Sequence, residues 1–168
     1  VNVSAQIFSG TRTFGKAGAG VAAASGPEAP YINPAAVTSA ERFHFIGYYG
    51  YYDKGTNGST RDFAATLIDN NGTAIFPAGV SYLTRRFRVS GFQFKDTEWR
   101  VSVGKVLPSL VSAGLNLKLL SSKNETTDVG RSRFNMDMGL MYAPWEFLGF
   151  GFTWTNMMGV LISSQTAE

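Results

Sequence analysis

The sequence contains no cysteine and only one histidine among its 168 residues. The absence of cysteine excludes disulfide bonds, a thiolate nucleophile and zinc sites built on cysteine. Basic and acidic residues number 15 and 12 and form no long run, so charge does not favour nucleic acid as a partner. No run of apolar residues approaches the roughly 18 that a transmembrane helix requires. We therefore expect no cofactor, no metal site and no membrane-spanning helix.

Aromatic residues are abundant, at 14% of the chain, and glycine contributes 19 residues. Apolar residues alternate with polar or small ones, and this period of two indicates β-strands with one apolar face. Seven segments share the alternation: 42–52, 61–68, 74–84, 98–106, 110–120, 133–142 and 146–156. Residues 157–163 are apolar enough to add an eighth strand or to cover an edge.

The lengths of these segments match tilted strands that cross a bilayer. Short connections, such as 69–72, alternate with longer polar ones at 53–60, 85–97 and 121–130. Short turns at one end and long loops at the other are typical of outer-membrane barrels. The alternative is a soluble β-sandwich or barrel, whose apolar face packs into a core. Small residues on the polar faces favour the membrane interpretation.

Each strand then has a predicted lipid face and a predicted lumen face. The residues expected to meet lipid are Phe43, Phe45, Val111, Leu115, Leu117, Phe134, Met136, Met138, Phe150, Phe152 and Trp154. The polar residues expected to face the lumen are His44, Arg100, Asn116, Lys118, Arg133, Asn135 and Asp137. The charged members of this group either tune the passage of solutes or pair with one another and neutralise the interior.

His44 raises one further alternative, a membrane-embedded enzyme that modifies lipids. Such an enzyme needs a histidine base oriented near a serine nucleophile. No second histidine and no serine motif accompanies His44. We therefore predict no catalytic residue and no enzyme activity.

The segment 15–37, GKAGAGVAAASGPEAPYINPAAV, is rich in glycine, alanine and proline. It shows neither the apolar stripe of a helix nor the alternation of a strand. The longer stretch 10–37, GTRTFGKAGAGVAAASGPEAPYINPAAV, resembles the N-terminus of FadL/PorV-like outer-membrane proteins, in which a Gly- and Ala-rich segment ends in an Asn-Pro-Ala signature before the first strand. Asn33, Pro34 and Ala35 match that signature. The stretch FNMDMGLMYAPWEFLGFGFTWTN at 134–156 is similar to the strand–turn–strand pattern of the same family.

The resemblance implies a plug in the barrel lumen at residues 1–40 and a transmembrane strand domain at 41–168. Barrels of that family need about twice as many strands as this sequence supplies. Either the chain is part of a larger barrel, or neighbouring subunits pair their strand edges, because an open edge is unfavourable in lipid. By size and strand count, the second plan is similar to that of PopA-type porin-like proteins.

The sequence therefore predicts an all-β fold, an antiparallel transmembrane sheet or barrel of seven to eight strands with an N-terminal plug. We expect a homo-oligomer in the bacterial outer membrane, in contact with the membrane lipids, that acts as a porin-like pore or wall. The alternative is a FadL-like transporter of hydrophobic molecules, formed from a larger barrel.

Overall fold

A computed structural model describes residues 21–22, 28–40, 42–53, 58–71, 76–89, 91–145 and 148–158. This part of the chain contains seven antiparallel strands, which form one sheet in chain order and curl into half a barrel. The strands are β1 (Arg42–Asp53), β2 (Ser59–Asn70), β3 (Ala78–Val89), β4 (Phe92–Leu107), β5 (Val111–Asn124), β6 (Val129–Trp145) and β7 (Leu148–Trp154). All seven predicted strands, and the all-β fold class, are confirmed.

Among the described residues, two short helices precede β1. The α-helix α1 (Ala29–Ile32) is followed by a 3₁₀ helix (Pro34–Ser39). The 3₁₀ helix contacts β2, β4, β5 and β6, and contacts with strands so far apart in the sheet place it inside the curve. The largest buried apolar side chains, among them Val37 and Ile68, lie between this helical segment and the concave face. None of the helices among the described residues is long and apolar enough to span a membrane.

The two faces of the sheet differ sharply in exposure. In β4, Trp99 is 52% exposed and Val101 is 47% exposed. The residues that alternate with them are buried: Arg100 is 6% exposed and Ser102 is 0% exposed. In this part of β4 the apolar side chains therefore point outward on the convex face, and the polar side chains point inward on the concave face.

The predicted long loops at 85–97 and 121–130 are wrong in large part. β3 continues to Val89 and β4 begins at Phe92, while β5 and β6 continue to a turn at 125–128. The strands are therefore longer than the apolar alternation alone indicates.

Cross-strand pairs explain this extension of the strands. Arg85 lies directly opposite Asp96, and Ser122 donates a hydrogen bond of 2.6 Å to the Asp96 carboxylate. The rings of Phe87 and Phe94 stack with their centroids 5.4 Å apart. Opposite charges and stacked aromatic rings facing one another stabilise neighbouring strands, so polar residues here belong to the sheet.

The opposite end of the sheet also departs from the prediction. β2 continues to Asn70, into the predicted turn at 69–72, residues 72–75 lie outside the described residues, and β3 begins at Ala78. Pro77 precedes the strand because proline has no N–H for the ladder, although its carbonyl accepts a 2.9 Å hydrogen bond from Gly104. Of the predicted eighth strand, Met157 and Met158 are not in a strand, and residues 159–163 lie outside the described residues.

Candidate functional site on the concave face

Three glycines lie in one register row across the concave face. Gly104 is opposite Gly114, and Gly114 is opposite Gly139. A Cβ added to Gly114 would lie 2.2 Å from the carbonyl carbon of Pro34, and one added to Gly139 would lie 1.9 Å from Oδ1 of Asn33. The glycine row therefore provides the space in which the Asn-Pro-Ala segment sits, since a side chain at either position would collide with it.

Asn33 fixes this segment through both ends of its side-chain amide. Its Nδ2 donates to the carbonyls of Val21 (2.9 Å) and Leu140 (3.1 Å), and its Oδ1 accepts from the backbone N–H of Ala35 (3.0 Å). The last bond caps the 3₁₀ helix, and Pro34 follows at a position where no N–H is needed. The signature thus joins the helical segment to β6.

Asn70, at the end of β2, holds the other end of the 3₁₀ helix. Its Nδ2 donates to the carbonyls of Thr38 (3.0 Å) and Ala40 (2.7 Å). Because hydrogen bonds hold both ends, residues 33–40 are attached to β2 and β6, on the two sides of the curve.

Arg100 joins the centre of the sheet to α1. Its guanidinium forms an ion pair with Glu98 on the same strand face, donates to the carbonyl of Pro30, and lies 4.5 Å from the ring centroid of Tyr31. Asn116 donates to the same Pro30 carbonyl over 2.8 Å. The charge of Arg100 is thus neutralised inside the sheet, where an unpaired charge would be costly.

The side chain of Tyr31, a residue of α1, packs against Ala64 and Leu83 of the sheet. The Thr66 hydroxyl lies 3.3 Å from the Tyr31 hydroxyl, and burial raises the pKa of Tyr31 above its usual value. The phenol therefore stays neutral.

A second buried ion pair lies on β5 and β6. Lys118 Nζ is 2.6 Å from Asp137 Oδ1, and their side chains are only 2% and 3% exposed. Asn156 accepts a 2.8 Å hydrogen bond from Lys118 and donates its backbone N–H to Asp137 over 2.8 Å. Asn116 donates to the other Asp137 oxygen over 3.3 Å. Every oxygen of the carboxylate is therefore paired.

A third group of charges lies nearer the turn at 125–128, where the concave face is more open. Asp62, Arg85, Asp96, Ser122 and Arg131 share one register row. The ion pair between Arg85 and Asp62 is 2.8 Å long, and 29% of the Arg85 side chain is exposed. Charges of alternating sign thus line this end of the concave face.

All the residues predicted to face a lumen lie on the concave face. Arg100, Asn116, Lys118 and Asp137 are buried there, and His44, Arg133 and Asn135 are half-buried. The interpretation that charges pair with one another is supported, although the partner of Arg100 is Glu98 and not one of the predicted residues.

The residues predicted to meet lipid lie together on the convex face: Phe43, Phe45, Val111, Leu115, Leu117, Phe134, Met136, Met138, Phe150, Phe152 and Trp154. Contact with lipid itself remains a prediction.

Sequence reasoning missed Glu98, Asn156, Tyr31 and the glycine row. Two of these could have been predicted from the period of two in the sequence. It places Glu98 on the same strand face as Arg100, and it places all three glycines on polar strand faces. Asn156 and Tyr31 lie outside regular strands, so their positions follow from tertiary packing alone.

Comparisons with protein-family models, with curated proteins and with solved structures give no match to this chain. The described residues contain no group of three or more histidine, aspartate or glutamate side chains placed to hold a metal ion. The function is therefore inferred from the geometry of the two faces.

Proposed function

We propose that the chain forms part of the wall of a porin-like pore in the bacterial outer membrane, acting as a homo-oligomer without catalytic activity. The observation that carries this proposal is the inverted distribution of side chains. Phe45, Phe150 and Trp154 are 70%, 56% and 54% exposed, whereas Lys118 and Asp137 are buried inside the curve. A soluble β-sandwich buries the apolar face of its sheet against a second layer, but the part of the chain that the structure describes has no layer on the convex face.

The apolar band of the convex face has the height of a membrane span. On β5 the outward side chains from Val111 to Leu119 are all apolar, and this stretch measures roughly 27 Å along the strand at ~3.4 Å per residue. A strand tilted by about 40° would cover ~21 Å of membrane thickness, close to the ~25 Å apolar band of outer-membrane barrels.

The band also slants across the sheet. On β2 it ends at Asp69, whose register row passes through Val103 and Leu115 to Met138 on β6. On β6 the outward apolar side chains continue beyond that row to Tyr142. A band parallel to a membrane must slant in this way relative to the register rows, because barrel strands cross the membrane at a tilt.

The open edges of the sheet support assembly. Among the described strands, β1 pairs only with β2, and β7 pairs only with β6. Each unpaired backbone group in hydrocarbon costs several kcal/mol, so such edges have to be paired in a membrane. Pairing β1 of one subunit with β7 of the next closes a wall and widens the enclosed space.

A FadL-like transporter of hydrophobic molecules is the second candidate, favoured by the position of Asn33. Asn33 donates a hydrogen bond to the Leu140 carbonyl of β6 and lies against Gly139, and this contact supports a lumen segment of the kind that the resemblance to the FadL/PorV-like proteins implies. In this alternative, further strands of the same polypeptide close the barrel, and residues 28–40 obstruct its interior.

The mass of the protein in mild detergent separates these candidates. The porin-like proposal predicts a discrete oligomer at a multiple of 18.2 kDa, measured by native mass spectrometry of the purified chain. A transporter half-barrel predicts no discrete closed oligomer from this chain alone. A stable, monodisperse monomer that needs no detergent contradicts both.

A further inference from the structure

Four basic side chains lie next to one another in a single register row of the convex face, and we call them the cation row. Arg61 is opposite Arg86, Arg86 is opposite Lys95, and Lys95 is opposite Lys123. Neighbouring strands are about 4.8 Å apart. Like charges directly opposite one another destabilise a sheet, so an anion bound across the row would relieve this repulsion.

Nearby carboxylates neutralise the cation row only in part. Glu125 lies 3.6 Å from Arg86 but also accepts a 2.6 Å hydrogen bond from Gln93, and Asp128 lies 2.5 Å from Lys123. The other two members of the row form no ion pair with any described residue, and the guanidinium of Arg61 lies 5.8 Å from the ring centroid of Tyr51. The row therefore keeps an excess of positive charge.

The rows next to the cation row complete a three-level pattern on the convex face. The adjacent outward row carries the hydroxyls of Thr84, Thr97, Ser121 and Ser132, and the row after it carries Tyr82, Trp99, Leu119 and Phe134. On β3, β4 and β5, cations, hydroxyls and apolar side chains thus follow one another along the strand, whereas on β2 the apolar Phe63 takes the middle position. A phosphorylated membrane lipid has the same order: phosphate, polar linkage and acyl chains.

We propose that the cation row binds the phosphates of a lipid head group in the leaflet that surrounds this end of the sheet, with the acyl chains lying on the rows of Trp99 and Leu117. The inference rests on the proposed membrane function. The lipid belongs to the outer leaflet, because the row lies at the end where β4 and β6 extend beyond the apolar band. The continuity of the row with the apolar band favours a lipid over a soluble polyanion.

The test uses the full chain in detergent, with diphosphoryl lipid A as the probe and phosphatidylcholine, a zwitterionic phosphodiester with no net charge, as the comparison. Lys95→Gln is expected to weaken lipid A binding roughly fivefold, and Arg86→Gln combined with Lys95→Gln on the order of twentyfold, since each basic residue near an anionic surface contributes about the same increment. Lys95→Arg is expected to keep the wild-type affinity.

Arg131→Gln is the matched control, because Arg131 is exposed at the same end of the sheet but on the concave face. An equal loss of affinity in Arg131→Gln, or binding by the double variant within twofold of wild type, overturns the proposal. Competition by inorganic phosphate at the same concentration as lipid A shows a free-anion site and overturns the assignment to a lipid. Failure of the chain to enter a bilayer contradicts both the membrane function and this inference. Insertion with the same lipid A affinity in the wild type and the variants contradicts this inference alone.

Discussion

The ion pair between Lys118 and Asp137 lies almost wholly out of solvent, with its carboxylate fully hydrogen-bonded. Removing one member leaves an uncompensated charge in the interior, which costs far more than the pair itself contributes. We expect Lys118→Met to lower the free energy of unfolding by about 3–5 kcal/mol. Urea unfolding in detergent, followed by tryptophan fluorescence, measures this loss.

Two further variants make this prediction specific. Adding Asp137→Asn to Lys118→Met should recover part of the loss, because the amide keeps an oxygen acceptor without the charge. Lys123→Met removes an ion pair that is exposed, and no measurable change is expected. Similar losses in Lys118→Met and Lys123→Met would contradict the role given to the buried pair.

Gly114 is the residue on which the docking of the helical segment depends most directly. A methyl group there would collide with the backbone of Pro34, whereas a methyl group at Gly47 would meet nothing within 4 Å. The chain has no cysteine, so Val37→Cys places a single thiol in the buried 3₁₀ helix. We expect Gly114→Ala to speed the labelling of that thiol, and Gly47→Ala to leave it slow. Equal labelling rates would show that the glycine row does not hold the segment.

Which face a residue occupies could be predicted from the sequence, but its partners could not. The period of two places Arg100, Asn116, Lys118 and Asp137 on polar faces, and the structure puts all four there. Their partners depend on register and on the helical segment, because the Pro30 carbonyl meets Arg100 and Asn116 only after the chain has folded back over the sheet.

The strands as elements follow from the same alternation, but their ends do not. Alternation of apolar and polar residues stops where β3 and β4 leave the apolar band, although the ladder continues through Arg85 and Asp96. A polar strand end and a polar loop have the same composition, so cross-strand pairing has to be known to tell them apart. At the other end, Pro77 delays the start of β3.

The depth of the apolar band can be tested within neighbouring strands. Leu117 lies in the middle of the apolar band on the convex face of β5. Ser132 lies on the convex face of β6, just beyond the end of the apolar band. We expect Leu117→Arg to cost ~2–4 kcal/mol and to block insertion, because arginine is least tolerated at mid-bilayer on the lipid face. Ser132→Arg should insert normally, as measured by heat-modifiable migration of the protein folded into vesicles. Equal effects of both substitutions would argue against a band of membrane depth.

Across the part of the chain that the structure describes, the sheet exposes its more apolar face, whereas a β-sandwich buries that face against a second layer. Its convex face exposes aromatic and aliphatic side chains, and its concave face buries paired charges beneath a helical segment held on a glycine row. The sequence predicts the two faces but not the half-barrel curvature, since curvature depends on how all seven strands pack together with the segment inside them.

The central claim is that the convex face meets lipid, and a comparison of two adjacent residues tests it most directly. Phe45 points outward from β1 and Ile46 points inward at the same depth, and both are at least 40% exposed. A fluorophore on Phe45→Cys, and one on Val101→Cys in the central strand β4, should be quenched by brominated acyl chains and protected from iodide. A fluorophore on Ile46→Cys should escape the brominated lipid. Iodide quenching at Phe45→Cys and Val101→Cys without quenching by brominated lipid would contradict the claim.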